Sequence, residues 1–159
     1  MQRLRVYIDT SVLGGCLDPE FEDSSRALLD AANRGRIVLV VSDILIDELL
    51  LAPAGVQELF VSLPDHAFEA VEMSAESLAL RDAYLEQGVV GPRSASDAHH
   101  VALATIARAD MIVSWNFRHI VQFSKMRGFN SVNLREGYPT LAIHCPREVV
   151  ADAEDGQSL

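Results

Sequence analysis

Apolar positions along this chain switch repeatedly between the period of a strand and that of a helix, and its polar chemistry sits where the rhythm changes. Leu4-Arg5-Val6-Tyr7-Ile8 reads as a short strand ended by Asp9, and Ile37-Val38-Leu39-Val40-Val41 is a continuous β-branched run of the kind buried on both faces of a sheet. Between them, Ser24 to Arg34 has helical spacing and stops before Gly35. Strand, helix, strand implies a parallel βαβ unit. Ser42 then caps a predicted helix carrying Ile44, Leu45, Glu48 and Leu49 that ends at Ala52-Pro53, and a shorter helix is expected from Val56 to Leu63.

Phe68 to Met73 alternates like a half-exposed strand, Ala75 to Gln87 is helical, and Gly88-Val89-Val90-Gly91-Pro92 breaks the chain. The longest helix is expected to open at Ser94 and run through Ala109, with Asp97 completing a capping box in which Asp replaces Glu. Met111 to Ser114 reads as a buried strand, Trp115-Asn116 as the start of a loop, and Ile120 to Met126 as a short helix. Small late strands are expected at Val132–Leu134 and Leu141–His144. With no internal repeat and no dividing linker, the reading is one domain over residues 1–146 and an acidic, frayed tail over 147–159.

Composition narrows the class. At 159 residues and 49% hydrophobic content the chain has one domain's length and enough apolar material for a core. Cys16 and Cys145 match no zinc-ligand spacing and are too few to staple a secreted scaffold, so they are read as packed thiols in a reducing cytoplasm. No signal-peptide pattern is present and no apolar stretch approaches the roughly 18 residues of a membrane span, so no membrane partner is expected. A net charge of −10 argues against a non-specific nucleic-acid binder but not against a nuclease, because bound divalent cations reverse the potential of an acidic site. Positive charge gathers after Asn116, at Arg118, His119, Lys125 and Arg127.

Four polar islands stand at element ends: Asp9-Thr10-Ser11, Asp47-Glu48, Ser96-Asp97 and Trp115-Asn116. In a doubly wound sheet, ligands bind in the crevice beyond the carboxyl ends of the strands, and Asp9, Glu48, Asp97 and Asn116 can meet there. Gathered carboxylates repel one another unless a hard cation lies among them, which makes Mg²⁺ or Mn²⁺ the leading expectation. Each island alone has an ordinary explanation as a turn, a cap or a solvated helix face; their joint placement carries the functional reading. Asp97 and His100 share a helix face at i, i+3, which suits a transition metal, although packed or solvated histidines are the more frequent case. Ser11 is read as a turn hydroxyl that could also orient an acid or a metal-bound water, and Trp115 as packing.

The segments Val6-Tyr7-Ile8-Asp9-Thr10-Ser11-Val12-Leu13, Ser42-Asp43-Ile44-Leu45-Ile46-Asp47-Glu48-Leu49, Ser96-Asp97-Ala98-His99-His100-Val101-Ala102-Leu103-Ala104 and Ile112-Val113-Ser114-Trp115-Asn116-Phe117-Arg118-His119 are individually loose, but their order and spacing are not. Over about residues 4 to 146 the chain resembles the PIN-domain family, small metal-dependent ribonucleases that include the VapC-like toxins of toxin–antitoxin pairs. The resemblance implies a three-layer α/β/α fold around a mostly parallel sheet. It also implies an endoribonuclease in which Asp9, Glu48, Asp97 and Asn116 are catalytic and hold one or two Mg²⁺ or Mn²⁺ ions. Further expectations are RNA contacts at Arg118, Lys125 and Arg127, a cognate antitoxin as partner, and a homodimer, to which the Leu-rich stretch Ile44–Leu51 also points. Asn116 departs from the family, which commonly has aspartate there; an amide oxygen can ligate a hard cation but brings no charge.

Two rivals stand beside this reading. One is a degenerate PIN domain that binds RNA or protein without cleavage. The other is a receiver- or phosphatase-like α/β protein, although Lys125 is the chain's one lysine and lies late, and Asp9-Thr10-Ser11 is not Asp-x-Asp.

Overall fold

The computed structural model describes residues 2–154, and side chains as far as residue 150. Its centre is a five-stranded sheet in the order β3-β2-β1-β4-β5, every neighbouring pair parallel. The strands are β1 (Leu4–Ile8), β2 (Ile37–Ser42), β3 (Phe68–Val71), β4 (Met111–Val113) and β5 (Ala142–His144). β1 is central, pairing Leu4 with Ile37 through Tyr7 with Val40 on one side, and Val6 with Met111 through Ile8 with Val113 on the other. Its alternating side chains divide the core. Val6 and Ile8 join Leu39 and Val41 beneath one helical layer, while Tyr7 and Val40 face the opposite layer.

The first layer holds α1 (Thr10–Gly15), α2 (Glu22–Asn33), α3 (Asp43–Leu49), α4 (Ala54–Val61) and α8 (Pro146–Glu154). The second holds α5 (Ala75–Glu86), α6 (Ala95–Ile106) and α7 (Phe123–Arg135). Helices on both faces of a parallel sheet give the expected three-layer α/β/α fold. Among the described residues, no helix is long and apolar enough to cross a membrane. Cys16 and Cys145 are buried and unbridged.

Several local expectations are corrected. The capping box lies not at Ser94 but at Ser74, which accepts the Ser77 N–H while Ser77 returns a bond to the Ser74 N–H. Ser94 ends a 3₁₀ turn over Pro92–Ser94 and lacks the extended backbone that a capping hydroxyl needs. α6 ends at Ile106 rather than Ala109, because Arg108 adopts the left-handed conformation (φ 56°) and the Ala109 N–H folds back to the Ala104 carbonyl. The longest helix is α7, at 13 residues against 12 for α6, and it absorbs Val132–Leu134, which is therefore not a strand. Residues 147–154, expected in the tail, belong to α8, which packs on α2 with Val149 in the core; residues 155–159 lie outside the described residues.

Candidate active site

The strand order reverses at β1, with β2 on one side and β4 on the other, and such a switch opens a crevice beyond the strand ends. Asp9 follows β1 directly and is 5% exposed. Two hydroxyls hold it: Ser11 Oγ donates to Oδ1 at 2.5 Å and Ser114 Oγ donates to Oδ2 at 2.6 Å. The Ser11 Oγ also accepts the Trp115 N–H at 2.9 Å, so the first turn after β1 is tied to the end of β4. Burial pushes the Asp9 carboxyl above its ordinary range, and neither the attraction of His100 nor the two hydroxyls bring it back.

Asp97 lies in the first turn of α6, on the layer that faces Asp9. Burial raises its pKa, and the charge of Asp9 raises it further; His119, His100 and the neighbouring Asn116 side chain pull the other way. The carboxylate that ends the central strand thus disfavours ionisation of the one that opens α6 in the second helical layer.

Glu48, on α3, is placed differently. Its Oε1 lies 2.6 Å from His100 Nε2 and accepts the Thr10 hydroxyl at 3.0 Å. Burial alone would raise its pKa, but the hydrogen bond and attraction of His100, with the Thr10 bond, hold it below its ordinary value.

Asn116 lies beyond β4 and beside Asp97, as its order along the chain implied, but its oxygen is committed. Oδ1 accepts the backbone N–H of His119 at 2.9 Å and of Arg118 at 3.2 Å, which uses both lone-pair directions of the amide oxygen. Asn116 thus caps the turn that follows β4, with its side chain close enough to Asp97 to favour the carboxylate.

The sequence assigns no site role to Tyr7, Thr10 or Ser114, and to Ser42 only that of a helix cap. Hydroxyls at strand ends are common, and nothing in their spacing separates those that grip a carboxylate from those that end a strand. His100 was considered as a ligand, but both its ring nitrogens are engaged, Nδ1 with the Tyr7 hydroxyl at 2.7 Å and Nε2 with Glu48. Trp115 is packing: its indole N–H donates to Ser25 Oγ at 2.7 Å, its ring stacks on Phe21, and Gly15 leaves room for it.

Of the basic cluster, Lys125 donates to the Val89 carbonyl at 2.8 Å, whereas Arg118 and Arg127 are exposed. Arg127 lies over the ring of Phe123, 69% exposed, and Phe117 is 43% exposed near the same end of the sheet.

Among the described residues, no three His, Cys, Asp or Glu side chains form a ready-made metal cluster. The donor chemistry still fits a hard cation. Asp9 and Asp97 are oxygen donors in mutual repulsion, and Mg²⁺ keeps several of its waters and needs only one or two carboxylates.

No curated protein matches this chain. Among solved structures it is similar to a chain of the crystal structure of VapBC2 from Rickettsia felis bound to a DNA fragment from their promoter. The TM-score is 0.55 over 89% of this chain and 98% of that one, and at 15% identity this is a likeness of fold. The sequence pattern of the family described as PIN domain matches residues 5–118, a span that holds Asp9, Glu48, Asp97 and Asn116 and most of the chain, and the protein belongs to that family.

Proposed function

We propose that the chain is a divalent-metal-dependent endoribonuclease acting as the toxin of a toxin–antitoxin pair. The observation that carries this reading is the convergence of Asp9 and Asp97 at the switch point of a parallel sheet, both with pKa values raised by burial. Asp9 and Asp97 would hold Mg²⁺ or Mn²⁺, and Glu48, whose second oxygen has no protein partner among the described residues, would be a third carboxylate available to it. The cation, when bound, supplies Lewis-acid charge to the phosphoryl oxygens and lowers the pKa of a water.

The chain's own residues prepare that chemistry. Ser11 and Ser114 fix both oxygens of Asp9, and Asn116 stands beside Asp97 as a polar neighbour without adding charge. Glu48 is ionised at neutral pH and offers an acceptor to water in the crevice. Arg118 and Arg127 compensate the phosphates of RNA in an otherwise acidic protein, and Phe117 and Phe123 offer flat apolar faces to unstacked bases. Lys125, engaged by a carbonyl, contributes less.

The partner reading is supported by α3 and the turn that follows it. Leu45 and Leu49 are buried, but Ile46, Leu50 and Leu51 are 39%, 74% and 92% exposed. An antitoxin is the partner suggested by the VapBC2 neighbour, and a second copy of the chain would cover the same strip. Light scattering at micromolar concentration, alone and with the adjacent gene's product, tests both.

The degenerate, non-cleaving reading draws on the commitment of the Asn116 oxygen. Cleavage of single-stranded RNA with and without Mn²⁺ decides between them. The wild-type chain should cleave only with metal, and Asp97→Asn should abolish both cleavage and Mn²⁺ binding while the fold persists; full activity in a folded Asp97→Asn protein would refute the proposal.

A further inference from the structure

Glu48 is held by one oxygen only. Its Oε1 has two partners, Thr10 and His100, while among the described residues Oε2 has no protein hydrogen bond. The side chain of Glu48 is 38% exposed and that of His100 is 1% exposed, so the contact joins the crevice to the interior. Behind His100 the connection continues. Its Nδ1 meets the Tyr7 hydroxyl at 2.7 Å, and that hydroxyl donates to Ser42 Oγ at 2.8 Å. Ser42 is the N-cap of α3, where its oxygen accepts the Leu45 N–H. The chain of bonds therefore leaves α3 at its cap, crosses β1 and α6, and returns to α3 at Glu48.

We propose that His100 and Tyr7 are positioning residues of the hydrolytic site, turning Glu48 Oε1 inward so that Oε2 alone faces the crevice, and locking α3 to the helix that carries Asp97. The inference rests on the crevice being a metal-dependent hydrolytic site. Its physical basis is the weakness of the alternative. α3 has seven residues, too few to be rigid by itself, and an unheld glutamate side chain keeps up to about 2 kcal/mol of rotamer freedom. His100 comes from α6, three residues after Asp97, and is packed edge-on against the Tyr7 ring at 5.7 Å, so its position is set by the core. A carboxylate with one oxygen engaged presents a single directed acceptor; with both free it can rotate or chelate. Groups that hydrogen-bond the holders of a metal tune affinity and activity by about 10–100-fold when removed.

The two ends of the imidazole can be separated. In His100→Gln the longer amide reaches the Nε2 position and can still serve Glu48, whereas in His100→Asn the shorter amide stops near the Nδ1 position and cannot. Tyr7→Phe removes only the buried hydroxyl behind them. Each variant would be assayed by calorimetric titration with Mn²⁺, by steady-state RNA cleavage and by melting without metal, with Asp97→Asn alongside. His100→Asn should weaken Mn²⁺ binding and lower kcat by about tenfold or more, with the KM for RNA little changed. His100→Gln should restore most of both losses, and Tyr7→Phe should fall between. Equal behaviour of the Asn and Gln variants, or wild-type Mn²⁺ affinity and kcat in Tyr7→Phe and a folded His100→Asn, would overturn the proposal. If Asp97→Asn also retains both properties, the metal-site reading itself has failed; if Asp97→Asn loses them and His100→Asn does not, only the positioning role has.

Discussion

Replacing Ser114 by alanine removes one oxygen from the floor of the crevice and breaks two bonds at once. Ser114 is fully buried, its hydroxyl donates to Asp9 Oδ2 at 2.6 Å, and the same oxygen accepts the Asn116 N–H at 2.9 Å. A hydrogen bond to a charged group contributes about 1.5–3 kcal/mol, and a part-buried N–H left without an acceptor costs about 1–3 kcal/mol, so Ser114→Ala should destabilise the apo protein by about 3–5 kcal/mol where Asp9 is ionised. For a domain of this size that is a fall in Tm of about 6–20 °C. The two contributions depend differently on pH. Asp9 already has a folded pKa above its ordinary value of 3.8, so its ionisation removes stability as pH rises through that pKa. Losing the Ser114 bond, which favours the charged form, raises the folded pKa further and deepens the loss at neutral pH. Below the folded pKa of Asp9 the carboxyl is protonated in the folded state of both proteins and this part disappears from the difference between them; the orphaned Asn116 N–H remains. Urea unfolding over a pH series should therefore show a gap between wild type and Ser114→Ala of about 1–3 kcal/mol in acid that widens as pH rises through the folded pKa of Asp9, with the m-value unchanged. A gap that stays constant across the series, or no gap at all, would show that the Ser114 hydroxyl does not support the Asp9 carboxylate.

Gly15→Ala places a methyl 2.5 Å from Ser25 Oγ and 2.6 Å from Trp115 Nε1, into a hydrogen bond, and should cost about 2–4 kcal/mol in urea unfolding; an unchanged midpoint would contradict that packing. Asn116→Asp keeps an oxygen for the Arg118 and His119 N–H groups but exchanges a neutral neighbour of Asp97 for a like charge. Apo Tm should fall at pH 7 and recover relative to wild type toward pH 4, at about 1.4 kcal/mol for each unit by which the carboxylate pKa values rise, and identical melting at both pH values would remove Asn116 from the site. Phe123→Ala, at an exposed position, should change stability by no more than about 0.5 kcal/mol. If the ring stacks on a base worth about 1–3 kcal/mol, the same substitution raises the KM for single-stranded RNA severalfold or more, and an unchanged KM would show that bases do not use it.

The elements most legible in the sequence were those whose apolar rhythm reports their surroundings directly. Ile37–Val41 is apolar without interruption because β2 is covered on both faces, and Ser42 was readable as a cap because its hydroxyl does meet the Leu45 N–H. α1 escaped notice because six residues with two glycines carry too little periodicity to declare a helix. α7 is longer than its spacing predicts, and its end mimics a strand because Val132 and Leu134 alternate in sequence, yet Val132 is buried against the second layer and Leu134 is exposed on the same helix. Arg108 ends α6 in a conformation usually supplied by glycine, so the usual stop signal was missing.

The sequence by itself determined which residue types stand at the ends of the strands, and a parallel sheet necessarily gathers those ends on one side. That is why Asp9 and Asn116, beyond β1 and β4, can be associated from the sequence across about a hundred residues of chain, with Asp97 joining them at a helix start on the same side of the sheet. Only the tertiary structure decided what each polar group faces. It turned Glu48 toward His100, closed Ser11 and Ser114 around Asp9, and committed the Asn116 oxygen to two backbone N–H groups. The physical reason is range. Hydrophobic periodicity is summed over many residues and survives local ambiguity, whereas a hydrogen bond is made or lost within a few tenths of an ångström, a distance set by the packing of layers remote from one another along the chain.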